Sequence, residues 1–152
     1  MLFRSKWRKA DEQNWELLRQ IGDQNGDLEL SVSEVRQFSC HDFQWIEQIW
    51  SSNSAGKFGY HAQIKLIRDN GDTPEKVRDD VTAYRRFALN VGWKKGGLDS
   101  GDDYVWYDDL DFTASASPGE LPALGTRLPD TYDIPDRYAL LTLFSRAAAC
   151  NL

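Results

Sequence analysis

Apolar positions recur along this chain at helical rather than strand spacing. Between Lys6 and Gln20, Trp7, Ala10, Trp15, Leu17 and Leu18 stand among charged residues with Ile21 just beyond. That pattern predicts an amphipathic helix of about four turns ending near Gly22. Val32 to Phe38 predicts a short helix leading into Phe38–Ile67, where most of the aromatic and aliphatic residues of the first half are concentrated. There Phe43, Ile46, Ile49 and Trp50 fall on one face of a helix that Asp42 or Ser39 could cap. Ser51 to Gly56 is a polar turn. In Lys57–Ile64, Gly59 between Phe58 and Tyr60 lets a backbone or a flat ligand come close. Two aromatic helices joined by a tight turn make a cleft or a core, and periodicity does not distinguish them.

Further along, Thr73-Pro74 supplies an N-cap hydroxyl and a proline at the first helical position, predicting a helix to about Asn90 that buries Val77, Val81, Tyr84 and Ala88. Gly92 to Phe112 shifts to Gly, Asp and aromatic residues. Thr113 to Pro135 holds four of the five prolines yet keeps Leu121, Leu124, Leu128, Tyr132 and Ile134. A long Pro-rich connection that retains apolar residues is often a functional lid. Asp136 to Cys150 predicts a closing helix with Tyr138, Leu141, Phe144 and Ala148 on its packed face. The expected fold is a mostly α, multi-helix single domain over residues 1–152, with the Pro-rich lid before the C-terminal helix.

Composition narrows the function. With 41% hydrophobic and 28% charged residues the chain is an ordinary globular one, and no apolar run approaches the about 18 residues of a membrane span. Met1-Leu2-Phe3 is followed at once by Arg4, Lys6, Arg8 and Lys9, without a secretory apolar core. A cytoplasmic address, or the plastid stroma in a eukaryotic phototroph, is expected. The net charge of −6, with Lys and Arg scattered among acids, argues against a nucleic-acid surface. Cys40 and Cys150 could pair, but in an intracellular chain such residues more often remain small buried apolar groups.

Enzymatic chemistry finds little support. His41 and His61 are the two histidines, and neither belongs to a nucleophile-and-base signature. Cys40 and His41 are neighbours on a helix and point about 100° apart, so they cannot act on each other. As axial ligands to a metalloporphyrin the two histidines are conceivable; a surface or hydrogen-bonded role is the simpler expectation. Asp23, Asn25, Asp27 and Glu34 have the spacing of a calcium loop, but Leu28 stands where its sharp turn calls for glycine, which favours a solvated polar turn. The aspartates between Asp99 and Asp111 likewise suit a hydrated acidic loop better than a metal cluster.

Cys40 to Trp50 follows the pattern C-x-D-[FL]-x-x-I-[DE]-x-[IL]-W, and after a serine-containing turn Lys57 to Ile67 follows [KR]-F-G-[FY]-x-x-Q-x-x-I. Both resemble the tetrapyrrole-binding domain of the Genomes-Uncoupled-Four family, the porphyrin-binding accessory of magnesium chelatase. Lys6–Asp11, Val91–Lys94, Tyr107–Phe112, Pro118–Pro122 and Ser145–Leu152 extend the resemblance in order over nearly the whole chain. Gln44 stands where many family members have arginine, and Tyr60 where phenylalanine is common.

The resemblance implies a non-enzymatic protein that holds a porphyrin (protoporphyrin or magnesium protoporphyrin) or a linear tetrapyrrole such as a bilin, with a magnesium chelatase subunit as a possible partner. Transferred by position, it places Phe58, Tyr60 and Gln63 in a cup, Leu121 on the lid, and Arg146 near the ligand. A flat apolar macrocycle with carboxylates on one edge wants aromatic and aliphatic walls and a few cations. Trp50, Phe58, Tyr60, Ile64, Leu121 and Leu124 could supply the walls, and Arg127, Arg137 and Arg146 the propionate contacts. The rival expectations are a calcium-responsive module, or an interaction domain whose aromatic residues are all core.

Overall fold

The computed structural model describes residues 2–27, 29–101, 103–123 and 137–152, with side chains from residue 6 and, in the last helix, from residue 138. Seven α-helices and one 3₁₀ turn occur among the described residues: α1 (Leu2–Gly22), α2 (Val32–Arg36), α3 (Cys40–Ser54), α4 (Tyr60–Asp69), α5 (Pro74–Asp79), α6 (Val81–Asn90), the turn Tyr107–Asp109, and α7 (Arg137–Ala149). The mostly helical expectation holds. One antiparallel bridge, Lys94 to Tyr104, is the nearest approach to a sheet among these residues.

Several boundaries follow from local chemistry. Ser39, not Asp42, caps α3, its side chain accepting the Asp42 N–H, and Ala55 in the left-handed region ends that helix after Ser54. The expected Thr73–Asn90 helix is broken in two. Asp80 takes an extended conformation and turns its carboxylate back onto the N–H groups of Thr82 and Ala83, so it ends α5 and starts α6. The break rotates the apolar stripe: Val77, Tyr84 and Ala88 are buried, but Val81 is 59% exposed.

Helix α7 lies at the centre, packed on α2, α4 and α5. Its expected stripe is also revised, because Ala139 to Phe144 are all buried while Tyr138 is exposed beneath the Arg78 guanidinium. A helix apolar on nearly every side is an interior helix.

Its C-terminal end is fastened covalently. Cys40 and Cys150 form a disulfide, contrary to the expectation of two separate thiols. Distance along the chain hid the pair, since the partners are 110 positions apart in sequence while their Cα atoms are 5.2 Å apart. Beside the bond, Arg146 donates from Nε and Nη2 to the Phe38 carbonyl at 2.8 and 2.7 Å.

The acidic loop after Trp93 is organised by a lysine. The Lys94 ammonium is buried among the Lys95 and Gly97 carbonyls and the Ser100 hydroxyl at 3.2, 3.2 and 2.9 Å.

Candidate functional site

Helices α1 and α3 lie side by side but do not close on each other. Trp7, Ala10, Asn14 and Leu17 recur at three- and four-residue steps on one, and Trp45, Ile46, Ile49, Trp50 and Asn53 face them from the other. Between them runs an open groove of about 290 Å³. Gln13 completes a lining in which no side chain is ionisable. Trp45 and Ile49 stand at its rim, 51% and 44% exposed.

The floor is rigid. Trp7 lies nearly parallel to Trp50, with centroids 6.2 Å apart and planes 12° off, and both meet the edge or face of Phe58 at close to right angles. Buried Asn14 fixes the second indole: its Oδ1 accepts the Trp50 Nε1–H at 3.1 Å while its Nδ2 donates to the Tyr60 hydroxyl at 3.1 Å.

Behind the groove, α1 carries a buried acid. Asp11 accepts the Ala123 N–H at 2.8 Å and the Tyr107 hydroxyl at 2.7 Å. Burial pushes its carboxyl up to about 7 despite those two donors. Burial also raises Glu47, whose carboxylate accepts the Tyr60 N–H at 2.7 Å and so caps α4 in place of a side chain from Gly59. Gly59 has φ +114°, and a Cβ there would stand 2.7 Å from Glu47 Oε2, so glycine is required by both backbone and space.

The expected site residues divide by depth. Trp50 borders the groove. Phe58, Tyr60, Gln63 and Ile64 are buried, forming the layer beneath it and the seam with the 113–123 segment. Gln63 donates from Nε2 to the Gly119 and Pro122 carbonyls at 3.0 and 2.7 Å, and the Gly59 N–H reaches the Leu121 carbonyl at 2.9 Å. Leu121 is therefore buried in an anchored strand of chain rather than standing over an opening. Arg146 is committed to the Phe38 carbonyl. Leu124 and Arg127 lie outside the described residues, as does the side chain of Arg137.

The histidines and the calcium-like loop contribute nothing to the groove. His41 and His61 are exposed, and neither lines it. Asp23 accepts the Gly26 N–H and Asp27 the Glu29 N–H, while Glu34 accepts from Gln24 and Ser31 as one half of a capping box. Those hydrogen bonds hold the Glu34 carboxyl below its ordinary value. Asn25 is exposed on the same turn. No group of three metal-ligating side chains is found among the described residues.

Sequence reasoning missed Trp7, Trp45, Ile49 and Asn14 as groove residues. Ile49, expected on the buried face with Phe43, Ile46 and Trp50, is instead exposed and pairs with Trp45 four residues before it, a second apolar stripe on one helix.

A family profile described as GUN4-like matches residues 1–132. The chain belongs to the GUN4-like family. Among curated proteins of similar sequence, "Tetrapyrrole-binding protein, chloroplastic" of Arabidopsis thaliana is 35% identical over 96 residues, which are 62% of this chain and 32% of that protein. The chain thus spans about a third of that relative's length. The ligand-free structure of Arabidopsis thaliana GUN4 superposes with a TM-score of 0.64 at 26% identity, over 94% of this chain and 85% of that one. The GUN4-like fold and the helical architecture described above therefore agree. Among the described residues no helix is long and apolar enough to cross a membrane.

Proposed function

We propose that this GUN4-like protein binds a tetrapyrrole along the α1–α3 groove and holds it without transforming it. The observation that carries this reading is the groove itself, walled by three tryptophans, two isoleucines and a leucine, with amides as its polar groups. A conjugated macrocycle gains from flat aromatic contact, and neutral amides orient it without demanding charge. About 290 Å³ grips one face or edge of such a ring, leaving the remainder against exposed Trp45 and Ile49 and the propionates directed at water. With no ionisable lining group, the groove offers no general acid, base or nucleophile. The name of the Arabidopsis relative supports the ligand class.

In this reading Trp50 is a direct ring contact, and Phe58, Tyr60, Gln63, Ile64 and Leu121 fix its position from beneath. Arg127 and Leu124 from the segment before α7, and Arg137 from the start of α7, remain proposed propionate and edge contacts, and Arg146 steadies the junction of α2 and α3. Protoporphyrin, its magnesium form and a linear bilin are the ligands to compare. Delivery of the pigment to a magnesium chelatase subunit is the proposed role, at a cytoplasmic or plastid-stromal address, the latter supported by the chloroplastic relative.

Titration with each of the three pigments, followed by tryptophan quenching, tests this. Saturable binding at micromolar or tighter Kd is expected, weakened about tenfold by Trp45→Ala, as truncating an aromatic side chain that the ligand covers does. Absence of saturation with all three, or equal affinity in Trp45→Ala and Ile49→Ala, would sink the groove assignment.

A further inference from the structure

We propose that the Cys40–Cys150 bond is a reversible thiol–disulfide site, opened by a dithiol oxidoreductase that attacks the Cys40 sulfur. Access selects the atom, because Cys40 is half-buried and Cys150 is buried. Cys40 is also the first residue of the 15-residue helix α3, immediately after its Ser39 cap. A thiolate at a helix N-terminus is stabilised by the unpaired N–H groups there, which favours the reduced form and the release of Cys40 from a mixed disulfide with the partner.

The surroundings suit a bond that opens and closes in place. Arg146 clamps the Phe38 carbonyl from one side, and Gln44 Nε2 donates to the Cys150 carbonyl at 3.3 Å from the other. Both ties join the same two segments as the disulfide, through backbone carbonyls and not through sulfur. After reduction they keep the two thiols within reach, so closure remains an intramolecular step. Gln44, beside Cys40 in the same helix, and Asn151, next to Cys150, border an open depression of about 360 Å³ that also takes in Gln48, Ser51 and His61, and these side chains can hydrogen-bond a partner's backbone as its thiol approaches.

The exchange balances as follows. The partner's thiolate attacks Cys40 Sγ, a mixed disulfide forms, the Sγ–Sγ bond breaks, and Cys150 leaves as a thiolate that takes a proton from water. The partner's second thiolate then attacks its own sulfur in the mixed disulfide and releases Cys40, which is protonated in turn. Two electrons pass from the partner's dithiol to this chain's cystine, and the partner leaves as a disulfide.

The test uses the oxidised full chain with thioredoxin, thioredoxin reductase and NADPH, followed by alkylation and intact mass. The expected result is two alkylated thiols in a protein whose far-ultraviolet dichroism is unchanged. A thioredoxin lacking its resolving cysteine should be trapped on the peptide containing Cys40. Replacing the reducing system with oxidised glutathione, which takes up the two electrons, should restore the bond, about fivefold more slowly in Gln44→Ala, the effect expected for one lost hydrogen bond. A bond that stays closed under these conditions, an adduct on Cys150, loss of helicity on reduction, or an unchanged closure rate in Gln44→Ala would each overturn the proposal.

Discussion

The two aromatic helices of the 38–67 stretch share a composition but meet opposite fates. On α3, Trp45 and Ile49 stay at the surface beside a groove, while on α4 and the turn before it Phe58, Tyr60 and Ile64 are sealed. The difference lies in what comes back to cover them. The 113–123 segment returns onto α4, where Gly59 and Gln63 hydrogen-bond it, and onto α1, where Asp11 does, satisfying the backbone groups that burial would otherwise strand. Nothing among the described residues returns onto the outer face of α3 in the same way. An aromatic helix becomes core when a neighbouring segment brings hydrogen-bond partners, and stays a wall when none arrives.

Substitutions in each layer should separate them. Phe58→Ala removes a ring on which Trp7 and Trp50 both rest, and is expected to cost about 3–5 kcal/mol of stability. Chemical denaturation would show this, and a cost under about 1 kcal/mol would mean that the layer is not core. Next is the pH response of the sealed side. Unfolded, Asp11 titrates at 3.8, and folded at about 7, so the native state holds the extra proton between these values. Its contribution is therefore complete below about pH 4 and is lost as pH rises through 7, an effect of roughly 4 kcal/mol at most. Asp11→Asn should flatten this part of the stability curve, and an equally steep curve in the variant would move the titration elsewhere.

Smaller effects belong to the boundary between the layers. Asn14→Ala strands the Trp50 indole N–H and weakens the hold on the Tyr60 hydroxyl, with an expected cost of about 1–3 kcal/mol. A shift in the urea midpoint measures it. The Trp45→Ala variant, by contrast, should change stability by no more than about 0.5 kcal/mol while losing affinity for the pigment. A large fall in melting temperature would make Trp45 a structural residue and erase the contrast between the two helices.

Much of the fold could be read from the chain because it is local. The stripe from Trp7 to Ile21, the Ser39 and Thr73 caps and the proline at position 74 act within a few residues, and a helix covers the stripe and starts after each cap. What escaped is non-local or ambiguous at short range. Asp80 can sit within a helix or end one, and its choice depends on which N–H groups it reaches. The disulfide needs two helix ends to meet across nearly the whole chain. The family was legible through the Cys40–Trp50 and Lys57–Ile67 motifs, yet those motifs mark α3 and the buried α4, not the full groove. Half of the groove belongs to α1, and only the packed structure brings Trp7 opposite Trp45 and Ile49.

The Lys94 ammonium acts as a captive counter-ion for its own loop. Because the carbonyls of residues 95 and 97 and the Ser100 hydroxyl converge on a cation that the chain itself supplies, the turn keeps its shape without one from solution. Its tip, Leu98 and Asp99, lies between the anchor points at Gly97 and Ser100 and is exposed. Such a hairpin is a natural place to graft a peptide epitope or a fluorescent tag, with the lysine serving as the knot that keeps the graft from loosening the rest of the molecule.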